Sequence, residues 1–198
     1  IRDRDVTGVQ TCALPICEYR SDILVSLASL AGERMFFEGD NSSGVSGDLE
    51  SATTIASLME GHWGMGSTVS SHASNKRFEV GAPGGGGKEK RGDASKEMRR
   101  SLADRIESNL ASLLIKAEKI LKEHRDQVLS LAHALEVHKT LSGEDVAAVI
   151  DGTEGPIVDG RPYTKSKNIK ILESYHEAAV RAHKAHNSPS IQLPELQP

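Results

Sequence analysis

Cysteine is nearly absent from the 198 residues, with only Cys12 and Cys17 present. Aromatic residues make up 4% of the chain and include a single tryptophan, so no large aromatic core is expected. Neither charge sign dominates: 24 Lys and Arg stand against 28 Asp and Glu, for a net charge of -4. The basic residues are scattered among acidic ones, which argues against nucleic acid as a partner. The strongest apolar stretch, Ile23 to Leu30, is interrupted by Ser26 and Ser29 and is too short to cross a bilayer, so no membrane segment is expected in these residues. No stretch alternates apolar and polar residues for a useful length, and the expected fold class is all-α.

The first residues need separate treatment. Val6 to Ile16 back-translate without a mismatch to a common short-read sequencing adapter. Ile1 to Asp3 match the stretch before that adapter's index, Arg4 and Asp5 occupy the index, and Cys17 straddles the junction. Residues 1–17 are therefore read as adapter-derived and set aside from fold reasoning. Both cysteines go with them, so the remaining sequence is expected to have no disulfide framework, thiolate zinc site or cysteine nucleophile.

From Tyr19 to Phe37, the residues Ile23, Leu24, Leu27, Leu30, Ala31 and Met35 recur at three- and four-residue intervals, which predicts a helix with one buried face. Glu38 to Gly47 has the composition of a loop. Ser46 is expected to cap a second helix with the inward arc Leu49, Ala52, Ile55, Ala56 and Met59, ending near Trp63 ahead of Gly64 and Gly66. Residues 67–95 contain Pro83 followed by Gly84 to Gly87 and read as a Gly-rich linker. A phosphate-binding loop does not fit there, because Ala82 stands where its first glycine belongs and Glu89 replaces the magnesium-holding Ser or Thr.

Beyond the linker, residues 96–152 are predicted to be helical. Leu102, Ile106, Leu110, Leu113, Ala117, Ile120 and Leu121 define a long amphipathic helix. After a break near Arg125 and Asp126, a second helix carries Val128, Leu131, Ala132 and Leu135. Ser142, with Asp145 three residues on, predicts a capping arrangement that opens a short helix over Val146 to Ile150, ended by Gly152. Residues 153–198, rich in Pro, Gly and charge, are expected to be a largely disordered tail with one weak helical stretch near Ile169 to His186.

Three segments carry a resemblance to a known family. They are Leu27 to Phe37 (LASLAGERMFF), Ser42 to Gly66 (SSGVSGDLESATTIASLMEGHWGMG) and Lys116 to Val146 (KAEKILKEHRDQVLSLAHALEVHKTLSGEDV). In this order they resemble the peptidase domain of the FtsH-type ATP-dependent zinc metalloproteases. The middle one is the most specific, since a Gly/Ser turn, an acid, a helix and Trp-Gly-Met seldom coincide. The resemblance implies the helical C-terminal portion of an FtsH-like peptidase domain, with residues 18–66 carrying a metal ligand and 96–152 its last helices.

In that family two histidines of a His-Glu-x-x-His helix and a later carboxylate bind zinc (Zn), and the motif's glutamate deprotonates the zinc-bound water. The resemblance places the carboxylate at Asp48, within Ser46-Gly47-Asp48-Leu49-Glu50. Read by itself, Asp48 shares the arc of Ala52, Ile55 and Met59 and is expected to face inward. An aspartate in a first helical turn also offsets the positive end of the helix dipole without any metal.

No His-Glu-x-x-His occurs in the chain. His133 and His138 stand five apart without the glutamate, and His183 and His186 stand three apart in the expected tail. All four read as solvated surface histidines, and His62 beside Trp63 as structural. No catalytic residue is expected here. The zinc helix, and an ATPase module binding ATP and magnesium (Mg), are expected upstream of Glu18 in the parent gene.

The expected activity is therefore the parent's, an ATP-dependent zinc metalloendopeptidase that unfolds and degrades protein substrates as a homo-hexamer. This fragment is expected to be inactive. The expected location is cytoplasmic, with membrane association only through missing upstream sequence. The alternative is a non-catalytic all-α oligomerisation or protein-interaction module.

Overall fold

The computed structural model describes residues 15–68 and 88–197, with side chains from residue 96 onward in the second stretch. The adapter reading of residues 1–14, and residues 69–87 with the Gly84–Gly87 run, lie outside the described residues.

Among the described residues six α-helices and two 3-10 turns follow one another. They are α1 (Ile16–Phe36), a 3-10 turn (Ser43–Val45), α2 (Ser46–Gly61), α3 (Lys88–Glu123), α4 (Arg125–His138), α5 (Gly143–Asp151), a second 3-10 turn (Arg161–Thr164) and α6 (Ser166–Lys184). Among the described residues the only β pairing is a single bridge between Glu154 and Asp159, so the fold is all-α.

The chain divides into two compact units. The described part of unit 1 is 15–31, 41–68 and 88–118, and that of unit 2 is 32–40 and 119–197.

Unit 1 is built where three apolar stripes meet. Ile23 and Leu27 of α1, Ala52, Ala56 and Met59 of α2 and Leu113 of α3 form its core, joined by half-buried Leu24, Leu49, Ile55, Ile106 and Leu110. Ala52 and Ala56 are fully buried, and side chains that small let neighbouring backbones approach closely. Ile23 and Met59 are also fully buried, and each such side chain contributes about 1.5–3 kcal/mol by leaving water.

Two local expectations need correction in this unit. Ser46 does not cap α2: the chain runs from the 3-10 turn straight into the helix, with Val45 already in the right-handed helical region at φ -74°. The capping serine is Ser42, whose Oγ accepts from the Gly44 N–H at 3.1 Å. The linker expected over 67–95 is also shorter, because α3 begins at Lys88. Residues such as Lys88 to Arg91 have good helix propensity without apolar spacing, which is why periodicity alone missed them.

Unit 2 opens on the predicted helix break. α3 ends at Glu123, His124 leaves the helical region and Arg125 starts α4. The Arg125 guanidinium donates two hydrogen bonds to Glu173, at 2.8 and 3.0 Å, and lies 4.8 Å from the Phe36 ring centroid. Their hydrogen bond raises the Arg125 pKa and lowers that of Glu173.

A forked, partly shielded pair of this kind outperforms a surface ion pair. Arg125→Ala is expected to destabilise the chain by about 1–2 kcal/mol. The measurement is chemical denaturation followed by circular dichroism, and an unchanged midpoint would make the clamp dispensable.

α5 forms as its capping pattern predicts: Ser142 and Asp145 make a reciprocal capping box, and Gly152 ends the helix with φ 69°. That left-handed conformation is one a side chain beyond glycine adopts with strain.

The largest correction concerns residues 153–198. They are ordered through Gln197 and supply Val158, Tyr163 and Leu172 to the core that Phe36, Leu129, Ala134 and Val149 complete. The weak helical stretch is the 19-residue α6. The contributing apolar residues are spread singly over a long segment, so no local window showed enough of them to predict burial.

Candidate functional site

The expected metal ligand, Asp48, lies in the first turn of α2, in unit 1. Its carboxylate is exposed and has no hydrogen-bond or ion-pair partner among the described residues. The inward orientation expected from the arc is thus wrong at this position. On the same arc Val45 and Ala52 are buried and Leu49 is half-buried, but nothing packs over Asp48 itself.

The other end of α2 holds a feature the sequence reading missed. Glu60 is buried, 5% exposed. Its Oε2 accepts a 3.2 Å hydrogen bond from the Ser67 N–H and lies 3.6 Å from Nε of Arg105 on α3. Gly66 packs directly against this carboxylate, where any side chain would overlap it.

The Trp-Gly-Met turn is thereby folded back onto its own helix. Trp63 N–H donates to Leu58 O at 2.9 Å, Met65 N–H donates to Met59 O at 3.1 Å, and Gly64 takes φ +64°. The Trp63 ring meets Tyr19 at 4.6 Å between centroids. The motif therefore acts as a structural lock at the end of α2. The available signal was an acid at the edge of the apolar arc just before a Gly-rich turn, but its Arg105 counterion lies 45 residues further on.

His62 is exposed at the α2 C-cap, its backbone N–H donating to Leu58 O at 3.0 Å. In unit 2, His138, His183 and His186 are exposed as expected. His183 is nonetheless on α6 and pairs with Asp40 at 3.2 Å. His133 is the exception: it is buried, 7% exposed, with Nδ1 3.1 Å from Tyr163 Oη and Nε2 2.8 Å from Pro194 O. The expected surface position fails because the segment that covers it arrives from residue 194.

Among the described residues no group of three His, Cys, Asp or Glu side chains converges to hold a metal ion. Zinc is not fitted by these residues alone. No helix among the described residues is long and apolar enough to cross a membrane.

Comparison with known proteins identifies the class. Residues 14–149 match peptidase family M41, and the chain belongs to that family. More particularly, it is similar to the ATP-dependent zinc metalloprotease FtsH of Protochlamydia amoebophila, 30% identical over 67% of this chain and 15% of that protein. FtsH 2 of Methylacidiphilum infernorum is 31% identical over 67% of this chain and 20% of that protein. FtsH of Rickettsia prowazekii is 28% identical over 81% of this chain and 25% of that protein. The chain thus spans at most a quarter of the length of these relatives. No solved structure matches the chain.

Proposed function

We propose that the chain is the later part of the peptidase domain of an ATP-dependent zinc metalloendopeptidase, and that Asp48 is its contribution to the metal. The reading is supported by the family match over residues 14–149, which contains α1 to α4 and Asp48 at the open mouth of α2. Asp48 would supply one oxygen, and two histidines from another segment of the intact protein would supply the nitrogens, a donor set suited to zinc. A metal held there would supply Lewis-acid chemistry for peptide hydrolysis.

The chain's own residues position the donor. Asp48 sits on a helix held by the Ala52–Met59 core at its middle and by Glu60 and Arg105 at its far end. ATP and magnesium would bind a module outside these residues. The intact protein would act on protein substrates as a homo-hexamer in the cytoplasm, with any membrane association made by other sequence.

Two measurements test this. The chain alone, with zinc and an unfolded protein, is expected to release no peptides. In the intact protein, Asp48→Asn is expected to lower zinc affinity and peptide release by about 100-fold or more, with circular dichroism unchanged. Full retention of both would remove Asp48 from the site. An intact gene without His-Glu-x-x-His would favour the non-catalytic oligomerisation or protein-interaction module.

A further inference from the structure

Residues 191–197 (IQLPELQ) form no helix or strand, yet unit 2 holds them by their main chain. The Pro194 carbonyl accepts from His133 Nε2 at 2.8 Å. The Gln197 carbonyl accepts from Asn168 Nδ2 at 3.0 Å, and the Gln197 N–H faces Asn168 Oδ1 at 3.4 Å. Asn168 thereby meets a peptide unit with its own amide, as a neighbouring strand would. Between these points Leu196 packs against the unit 2 core, and Lys167 Nζ donates to the Gln197 side chain at 2.6 Å.

The receiving groups are built into the fold. Asn168 is 1% exposed and also donates to the Pro162 carbonyl at 2.8 Å, which sets its orientation. His133 is set by the buried Tyr163 hydroxyl. A carbonyl only accepts, so His133 must present Nε2–H to Pro194, and in the neutral ring the Tyr163 hydroxyl donates to Nδ1. With the segment lifted, the His133 Nε2–H and the Asn168 amide would lose their partners at positions where unpaired polar groups are penalised.

We infer that His133, Tyr163, Asn168 and Lys167 form a peptide-recognition site for an extended Leu-Pro-x-Leu sequence, occupied here in cis by residues 193–197. Main-chain hydrogen bonds at the Pro and at the residue after the second Leu hold the peptide, and the apolar seat of Leu196 selects its sequence. This is the division of labour seen when an extended peptide is added along a sheet edge. The cis segment acts as a built-in competitor, because tethering gives it an effective concentration on the order of millimolar.

The test uses a fluorescein-labelled peptide of residues 188–198 and fluorescence anisotropy. Leu196→Asp in the full chain removes the apolar anchor and frees the site. The labelled peptide is expected to bind this variant roughly tenfold or more tighter than the unmodified chain. Adding Asn168→Ala, or placing the Leu196→Asp change in the peptide, is expected to abolish that binding. A folded Leu196→Asp chain that fails to bind the peptide, or binding that survives Asn168→Ala, overturns the site.

A second measurement needs no variant. In the unmodified chain the His133 ring is expected to be held as the Nε2–H tautomer, with a slowly exchanging ring proton visible by NMR. Exchange at the rate of free imidazole overturns the proposal even if Leu196→Asp does not fold.

Discussion

Asp145→Ala is expected to lower the thermal midpoint by roughly 10 °C or more, read by scanning calorimetry, because two backbone donors, one of them buried, lose their acceptor along with a helix cap. Asp145 is completely buried. Its Oδ2 accepts from the Ser142 hydroxyl at 2.7 Å and the Ser142 N–H at 3.0 Å. Its Oδ1 accepts from the N–H groups of Ile157 at 2.8 Å and Val158 at 3.1 Å. One carboxylate therefore caps α5 and pins the segment that follows it.

All four partners donate, so Asp145→Asn is expected to rescue little: the amide keeps one accepting oxygen and turns an N–H toward donors on the other side. An Asn variant as stable as the unmodified chain would refute this account.

The same bonds set a pH dependence. Hydrogen bonds from the Ser142 side chain, the Ile157 N–H and the other two donors hold the Asp145 pKa at about 2, below the ordinary value of 3.8. A depressed carboxylate pKa stabilises the fold at pH values above the unfolded value, and that contribution disappears as pH falls from about 4 through about 2. Acid titration of the unmodified chain should show a loss of stability in that window, and Asp145→Ala should flatten it.

Gly160→Ala is expected to destabilise by about 3 kcal/mol, measured by chemical denaturation. The reason is space rather than backbone conformation, since Gly160 sits at φ -76°. A Cβ there would overlap the Ala148 carbonyl and lie 2.8 Å from Thr153 O. These are backbone atoms of α5 and its exit, which cannot swing aside as a flexible side chain can. The Gly160 N–H also donates to Thr153 O at 2.7 Å, fixing how closely the two strands of the turn approach. A change under about 0.5 kcal/mol, the range of an ordinary surface substitution, would show that this turn gives way.

His176 shows the same dependence on packing. It lies edge-on to Phe36 at 5.4 Å, and burial, followed by the nearby Arg125 charge, lowers its pKa. Nothing in the spacing of His176 distinguishes it from exposed His183, about two turns further along α6. The difference is that Phe36 packs edge-on against His176, while His183, beside Phe37, pairs with exposed Asp40.

The candidate site was legible in the same uneven way. The resemblance over Ser42 to Gly66 offered Asp48 as a candidate, at a position within the family match. Whether the side chain faces in or out depended on which neighbours pack over that one position, between buried Val45 and half-buried Leu49, which a helical arc alone does not state. Glu60 was invisible because its meaning comes from Arg105, brought beside it by the packing of α3.

Sequence by itself determined that the chain is helical, that a long helix breaks near Arg125 and where α5 is capped and stopped, because each depends on residues within one or two turns of one another. Tertiary structure alone decided that residues 153–197 are ordered, that His133 and Asp145 are buried and that Asp48 is not. Those outcomes rest on contacts between residues 12 to 61 positions apart, such as Asp145 with Ile157 and His133 with Pro194. Burial and hydrogen bonding across such separations act only once the chain has folded back on itself.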